Sequence, residues 1–423
     1  MNRKRIFQLI FASLLVIVPL VVTEVIFRAF IFSPSGPFKQ LKNPGNYAKE
    51  STDDYWKLYY QLGGHFGPPE HPHPLLGWIG NFDRNTLDHD DIKQTGNRRN
   101  VLIYGDSFIM CAHDSIECFD EILNADTAFN KNNFLLNYGV GGYGVDQIYL
   151  LFSHTIDKFQ NPFVVFSIMP ADMDRCMLSV RTGQKPYFTI SNDSLCLLGL
   201  PIDSVPAHFF KTNPPEITSY MWRRIANSKY NPYYSPFPTD SIFRTKIMTL
   251  NKKIILKAYD QIKQRNLQYV FVVFDELWNI EGLWRADSLK TFLTEQNINY
   301  INTAQLIQED TLFKGHDYFS YMIKGDGHPK SYYNKLLCEE IKKYMADYTA
   351  YPQFRQKQQS EEVRGLQHIL PNTMEYYELK IRKDGDWLNK VKEKAKQKNI
   401  PVDSMIKLDA IWMVENEKNN QKK

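Results

Sequence analysis

A serine, an aspartate and a histidine in two short glycine-containing motifs could together carry out nucleophilic chemistry. Residues 105–108 read Gly-Asp-Ser-Phe and contain Ser107, and residues 325–329 read Gly-Asp-Gly-His-Pro and contain Asp326 and His328. A free hydroxyl is a poor nucleophile at neutral pH, so Ser107 needs a base. His328 can accept its proton, and Asp326 can hold the other ring nitrogen of that histidine in the required tautomer. These residues predict a catalytic triad.

A glycine-rich run between the two motifs could stabilise a reacting carbonyl. Residues 137–144 read Asn-Tyr-Gly-Val-Gly-Gly-Tyr-Gly. Backbone N–H groups in such tight turns can donate to the negative charge that develops on a carbonyl under attack. We predict the N–H groups of Gly142 and Ser107 as the oxyanion donors. Nucleotide binding is disfavoured because no Gly-Lys-Ser/Thr or full Gly-x-Gly-x-x-Gly sequence opens the next helix.

The motifs follow short, almost continuously apolar segments that predict the parallel strands of an α/β fold. These segments are residues 101–104, 134–136, 163–168 and 269–274. Such runs are typical of strands that are covered on both faces. Between or after these segments, residues 145–152, 242–262 and 286–296 have apolar residues at the spacing of a helix. The alternation predicts a three-layer α/β sandwich with a doubly wound parallel sheet, and Ser107 should lie at its carboxyl edge.

In this order, the motifs resemble the blocks of the SGNH (GDSL-like) hydrolase superfamily. Residues 105–108 resemble the first block with Ser107 as nucleophile, Gly141-Gly142 resembles the second, and Asp326 with His328 resembles the fifth. The resemblance covers about residues 70 to 346. Each motif alone is weakly specific, whereas the ordered combination is moderately specific.

The resemblance implies a function as well as a fold. It implies a serine esterase or O-acyltransferase that forms an acyl-serine intermediate and needs no cofactor and no metal ion. The segment at residues 73–78, His-Pro-Leu-Leu-Gly-Trp, and the N-terminal helix resemble bacterial membrane-anchored members. For such an exported protein, the expected substrate is an ester, for example an O-acetyl group, on a cell-surface glycan.

Two positions depart from the pattern of the superfamily. Its third block usually reads Gly-x-Asn-Asp, whereas residues 169–172 read Met-Pro-Ala-Asp, so Ala171 has no side-chain donor. Losing one oxyanion donor typically costs on the order of 100 to 1000-fold in rate. The spacing from Asp326 to His328 is also one residue shorter than usual. The alternative prediction is therefore a catalytically impaired glycan-binding or assembly protein that keeps the fold.

Other residues have both a functional and a structural interpretation. Gly-Asp-Ser after a strand could be an ordinary helix N-cap. His113 is a rival base, although we expect it on the surface. The adjacent carboxylates Asp275 and Glu276 should point apart, which disfavours glycoside chemistry. Aromatic residues that could line a sugar cleft, or equally pack in the core or a lid, are Trp278, Trp284 and those at residues 230–234.

The N-terminus predicts a membrane anchor. Arg3, Lys4 and Arg5 precede an uncharged, mostly apolar run from Ile6 to Val22. Basic residues before a span favour a cytoplasmic N-terminus and an exported remainder. A cleaved signal peptide is the alternative, but no Ala-x-Ala-like site follows. We therefore predict a single-pass protein with a periplasmic or extracellular catalytic domain.

The remaining chain predicts several appendages around the catalytic domain. We expect an anchor at residues 1–32, an irregular lead-in at 33–98, the catalytic domain at 99–348 with an insertion at 175–238, and a helical extension at 349–423. Within the insertion, residues 187–190 and 195 should pair as a hairpin that turns at 192 and 193. Helical spacing in the extension covers residues 374–399 and 402–415. A further alternative is that this extension docks a protein partner, of unknown identity, while the sheet domain serves as a scaffold.

Charge and cysteine content narrow the possible partners. The net charge of +4 over 423 residues is small and scattered, which predicts no nucleic-acid partner. The five cysteines include no pair or cluster at zinc spacing. In an exported domain, either Cys176 with Cys196 or Cys111 with Cys118 could form a disulfide.

Overall fold

The structure is a computed structural model of the 423-residue chain. It describes residues 3–33, 38–63, 71–80, 95–111, 113, 115–181, 183–228, 241–275, 283–310, 318–351, 355, 374–398 and 402–420. The strands are β1 (His71–His73), β2 (Gly77–Ile79), β3 (Arg99–Gly105), β4 (Asn133–Gly139), β5 (Phe163–Ile168), β6 (Tyr187–Ser191), β7 (Ser194–Leu198), β8 (Gln268–Val273) and β9 (Tyr300–Asn302).

The helices before β5 are α1 (Arg3–Phe32), α2 (Asp53–Gln61), α3 (Ser107–Met110), α4 (Phe119–Ala125), α5 (Thr127–Asn130) and α6 (Val145–Thr155). Those after it are α7 (Pro206–Thr212), α8 (Tyr220–Ala226), α9 (Ser241–Gln264), α10 (Leu283–Glu295), α11 (Thr303–Glu309), α12 (Ser331–Ala346), α13 (Met374–Lys383), α14 (Gly385–Lys398) and α15 (Val402–Asn420).

A five-stranded parallel sheet organises the fold, and it confirms the predicted α/β class. Its order is β4-β3-β5-β8-β9, with every neighbouring pair parallel. In chain order this is 2-1-3-4-5, the doubly wound order of flavodoxin-like folds. The chain reverses direction across the sheet at β3, and open α/β sheets bind ligands beyond the carboxyl ends of the strands at such a point.

Both faces of the sheet are covered, as the continuous apolar runs predicted. Val101 and Ile103 of β3 belong to a buried cluster that includes Leu337 and Ile341 of α12. On the other face, the buried Tyr104 hydroxyl lies 2.7 Å from Oγ1 of Thr155 in α6. Alternate residues of one strand therefore meet helices on opposite sides, which makes the three layers.

The chain divides into two compact units. One comprises residues 1–79, 177–191 and 196–244, and the other comprises residues 80–176, 192–195 and 245–423. The predicted domain boundaries stay predictions. Within the segment predicted as an insertion, β6 and β7 form the expected hairpin, with Asn192 and Asp193 at φ of 47° and 60°. These positive values suit the tight turn that joins two strands.

The N-terminal helix α1 is apolar enough, by length and composition, to cross a membrane. The candidate span runs from Lys4 to Phe32 and contains the uncharged, mostly apolar run from Ile6 to Val22. The helix continues past the predicted run, and its end packs within its own unit. Ile31 is fully buried in a cluster with Tyr47, Leu58 and Tyr220.

Two predictions about irregular and helical segments are wrong. The lead-in contains a regular helix, α2, because Trp56 and Leu58 are buried and the Asp53 carboxylate accepts a hydrogen bond from the N–H of Ser179 at 2.9 Å. The helical stretch predicted at 374–399 is two helices. It breaks at Asp384, whose side chain accepts from the N–H of Trp387 at 2.9 Å and so starts α14 anew.

Candidate active site

Ser107 lies where the central strand β3 ends and α3 begins. Asp106 is the N-cap of this short helix, because its Oδ1 accepts from the N–H of Phe108 at 2.8 Å. Capping is therefore done by the aspartate, and the half-buried Ser107 hydroxyl is not used for it. This placement puts a serine hydroxyl at the carboxyl edge of the sheet, next to the point where its strand order reverses.

The glycine-rich run follows β4, the neighbour of β3, at the same edge. Gly141 donates its N–H to Sδ of Met110 at 3.2 Å. Among the residues that the structure describes, the N–H groups of Gly142 and Ser107 have no acceptor. Two backbone N–H groups without an acceptor, after adjacent strands, are donors that could stabilise a developing oxyanion.

Asp326 and His328 are held by a tight turn that precedes α12. Its ends are joined by the N–H of Ile323, which donates to the carbonyl of His328 at 2.8 Å, and the N–H of Gly327 donates back to the Ile323 carbonyl at 3.0 Å. Gly325 and Gly327 have φ of 82° and 87°, a backbone conformation that residues with a Cβ atom rarely adopt. The glycines on both sides of Asp326 thus permit the turn.

The imidazole of His328 has one engaged and one unused nitrogen. Nδ1 pairs with Oδ1 of Asp326, which also accepts the backbone N–H of His328 at 3.1 Å. Nε2 is buried and has no hydrogen-bond partner among the described residues. A donor on Nδ1 leaves Nε2 as an acceptor, the state that a general base requires.

His328 and Ser107 are brought to the same region, although no hydrogen bond joins them. The ring of Phe108, the residue after Ser107, lies 5.4 Å from the His328 ring, centroid to centroid. In the absence of substrate, hydrogen bonds between a nucleophile and its base are often long or poorly aligned. The structure thus brings together the elements that carry the predicted triad.

His113 contacts the same carboxylate from the opposite side. Its Nε2 lies 3.1 Å from Oδ2 of Asp326, and its ring centroid is 6.3 Å from that of His328. The hydrogen bond from His328, with a further one from His113, holds the pKa of Asp326 below its usual value. The sequence offered His113 only as a surface histidine or a rival base, and no local pattern signals this long-range pairing.

Residues of the third block lie after β5 at the same edge. Ala171 is half-buried and packs against the core cluster, and the 3-10 helix Pro170–Met177 contains it. Asp172 pairs with Arg175, which donates to the carbonyl of Tyr143 at 3.0 Å. The side chains of this block are thus used in packing and in tying the glycine-rich run in place.

Three side chains of the site could also bind a metal ion. Ligand atoms of His113, Asp326 and His328 all lie within 4.8 Å of one another. Two imidazoles and a carboxylate are a donor set that suits zinc. The close pairing of His328 with Asp326 through Nδ1 instead suits a hydrogen bond.

The residues considered for glycoside chemistry or sugar binding make structural contacts, as far as the structure describes them. Asp275 is buried and accepts from Nζ of Lys290 at 2.7 Å. Trp284 lies under the guanidinium of Arg285, 4.4 Å from the ring centroid. Glu276, Trp278 and residues 230–234 lie outside the described residues.

Cys111 and Cys118 form a disulfide with their Cα atoms 5.8 Å apart. Cys176 and Cys196, the other pair considered above, are not bonded to each other. The Cys176 thiol instead donates to Oδ1 of Asn251 at 3.2 Å. The disulfide closes a short loop that contains His113.

Comparisons with known proteins return solved structures of hydrolases. A putative acylhydrolase from Bacteroides fragilis is 10% identical with a TM-score of 0.33, covering 63% of this chain and 99% of its own. A catalytic mutant of an acetylxylan esterase from Geobacillus stearothermophilus is 12% identical with a TM-score of 0.34, covering 57% and 92%. A lipolytic G-D-S-L family protein from Veillonella parvula is 13% identical with a TM-score of 0.32, covering 60% and 99%.

No family model and no curated protein sequence matches this chain. One of the solved structures, the lipolytic protein from Veillonella parvula, carries the G-D-S-L name of the superfamily that the sequence motifs resemble. With TM-scores of 0.32 to 0.34, these structures contribute no argument about chemistry, which depends on the geometry above.

Proposed function

We propose that the protein is a membrane-anchored SGNH-type serine hydrolase that cleaves or transfers an ester acyl group. The observation that carries the proposal is the state of His328. Its Nδ1 is held by Asp326, and its buried Nε2 has no partner among the described residues. This acceptor belongs to a turn beside the helix that Ser107 begins.

The chemistry follows a double displacement. As Oγ of Ser107 attacks the ester carbonyl, its proton passes to Nε2 of His328. The N–H groups of Ser107 and Gly142 donate to the oxyanion, and Asp326 stabilises the imidazolium that forms. The imidazolium then protonates the leaving alcohol, which leaves an acyl-serine.

The acceptor of the acyl group defines the second half of the reaction. Water or a sugar hydroxyl gives up its proton to Nε2 of His328 and attacks the acyl-serine, and the proton returns to Ser107. We propose an O-acyl ester, such as an O-acetyl group, on a cell-surface glycan as substrate. Support comes from the apolar helix α1 and the basic residues at its N-terminal end, which favour an exported catalytic unit.

The experiment is fluorophosphonate labelling of the full chain in detergent. We expect wild-type protein to be labelled and Ser107→Ala and His328→Ala to lose the label. Ser153→Ala is a matched control, since Ser153 lies in α6 and its hydroxyl bonds Gln261. Absence of label on folded wild-type protein would sink the proposal.

Ala171 favours a second candidate function, an impaired glycan-binding or assembly protein. Its methyl group packs against the core and cannot donate to an oxyanion. In that case wild-type protein would remain unlabelled yet retain acetylated oligosaccharides in a binding assay, and Ser107→Ala would bind them equally well.

A further inference from the structure

His113 lies in a segment that is closed by a disulfide and hydrogen-bonded to α12, the helix after the turn that holds Asp326 and His328. Cys111 and Cys118 bracket this segment and form the disulfide. The N–H of Glu117 donates to Oγ of Ser331 at 2.9 Å, and Nδ2 of Asn334 donates to the Glu117 carbonyl at 2.9 Å. The disulfide therefore joins the two ends of this segment, and the two hydrogen bonds tie Glu117 to the start of α12.

With these restraints, the imidazole of His113 contacts the Asp326 carboxylate in addition to that of His328. Oδ1 pairs with His328, and Oδ2 lies 3.1 Å from Nε2 of His113. The Asp326 side chain is 34% exposed, so without a partner on Oδ2 it could rotate toward water. A carboxylate held at both oxygens keeps the orientation that His328 needs.

We infer that His113 is a positioning residue of the proposed reaction: it donates from Nε2 to Asp326 and thereby orients the Asp326–His328 pair, and the Cys111–Cys118 disulfide holds it there. The inference rests on the proposed serine hydrolase function. It assigns His113 no contact with substrate and no proton transfer, which remains with His328.

Two substitutions distinguish the effect of losing the His113 hydrogen bond from the effect of losing its packing. His113→Ala removes the donor, and His113→Gln keeps an N–H that can reach the carboxylate. We expect His113→Ala to lower the rate constant of fluorophosphonate labelling about 10-fold or more, the effect of a hydrogen bond to a charged group. His113→Gln should stay within about threefold of wild type. The concentration of probe that gives half-maximal labelling rate should not change in either.

The control is a second histidine–aspartate pair outside the site. His208 pairs with Asp203 and its side chain is 63% exposed, so His208→Ala should label like wild type. Melting temperatures identify variants that fail to fold. Equal rates for wild type and His113→Ala, or equal losses in His113→Ala and His113→Gln, would overturn the inference while the proposed function stood. Unlabelled wild type would instead overturn both.

Reduction tests the role of the disulfide in the same assay. Dithiothreitol should slow labelling of wild type to the level of His113→Ala and have no further effect on His113→Ala. Equal slowing of both proteins would show that the disulfide does not act through His113. Loss of labelling on dialysis against EDTA, with recovery on adding Zn²⁺, would make His113 a metal ligand and overturn its positioning role.

Discussion

The carboxylate of Glu24 in α1 accepts a hydrogen bond from the backbone N–H of Tyr220 at 2.8 Å. It also accepts from the N–H of Met221 at 3.1 Å and from Oγ of Ser219 at 2.9 Å. These donors are the first backbone N–H groups and the N-cap residue of α8, where a negative charge is favourable. Glu24 of α1 thus caps another helix of the same unit and also pairs with Arg28 of its own helix.

Replacing Glu24 should loosen this end of α1. We expect Glu24→Ala to lower the free energy of unfolding of the detergent-solubilised protein by about 1–3 kcal/mol, because it leaves the start of α8 without its acceptor. Glu24→Gln keeps acceptor oxygen and should lose less. Urea unfolding measures the difference, and equal stability of Glu24→Ala and wild type would show that water replaces the carboxylate without cost.

Asp326 should make stability depend on pH in the acid range. Its pKa is lowered in the folded protein, mainly by the hydrogen bond from His328. The carboxylate therefore stabilises the fold above its unfolded pKa, and this contribution is lost as the pH falls through the folded pKa. We expect the difference in melting temperature between wild type and Asp326→Asn to shrink as the pH falls through the acid range and to disappear once Asp326 is protonated.

The matched control for that titration is Asp193→Asn, since the Asp193 side chain is 92% exposed. Its melting temperature should stay close to that of wild type, because an exposed ion pair contributes little to stability. A wild-type advantage over Asp326→Asn that persisted at the lowest pH would contradict the assignment, because the two side chains are then both uncharged.

The strands were predictable because their signal is local. A run buried on both faces is continuously apolar, so residues 163–168 were assigned as they stand in β5, and residues 101–104 lie within β3. Strand β9 was missed because Tyr300–Asn302 has only three residues, too few to show a period. The helix α2 was missed because distant contacts stabilise it.

The candidate site was predictable only in part, because some of its contacts join residues that lie far apart along the chain. Ser107, Asp326 and His328 stand in motifs that can be found by residue type and spacing. His113 belongs to no motif, and its partner Asp326 is 213 residues away along the chain. Two groups that far apart meet only because β3 and the turn before α12 end at one edge of the sheet, which is a property of the topology.

A buried ion pair beside the sheet should matter more for stability than an exposed one. Lys290 and Asp275 are 1% and 3% exposed and lie 2.7 Å apart. We expect Lys290→Met to destabilise the protein by about 3–5 kcal/mol, because the buried carboxyl group of Asp275 loses its partner. Lys253→Met breaks the pair with the exposed Asp193 and should cost at most about 1 kcal/mol. Similar losses in urea unfolding would contradict this ranking.

Ala171 is the position where a substitution should increase activity. The superfamily that the motifs resemble usually has an asparagine donor there, and Ala171 lies at the carboxyl edge just after β5. Adding a donor to the proposed oxyanion site, which uses the N–H groups of Ser107 and Gly142, should lower the barrier. We expect Ala171→Asn to hydrolyse p-nitrophenyl acetate about 10 to 100-fold faster than Ala171→Leu.

Leucine is the reference because its side chain branches at Cγ and has as many non-hydrogen atoms as that of asparagine, but it carries no hydrogen-bond donor. The gain should appear in kcat rather than KM, since the new hydrogen bond forms to the charge of the transition state. It should also vanish when Ser107→Ala is combined with Ala171→Asn. Equal kcat values for the asparagine and leucine variants would show that the amide does not reach the oxyanion, and that the missing third-block donor is not what limits this site.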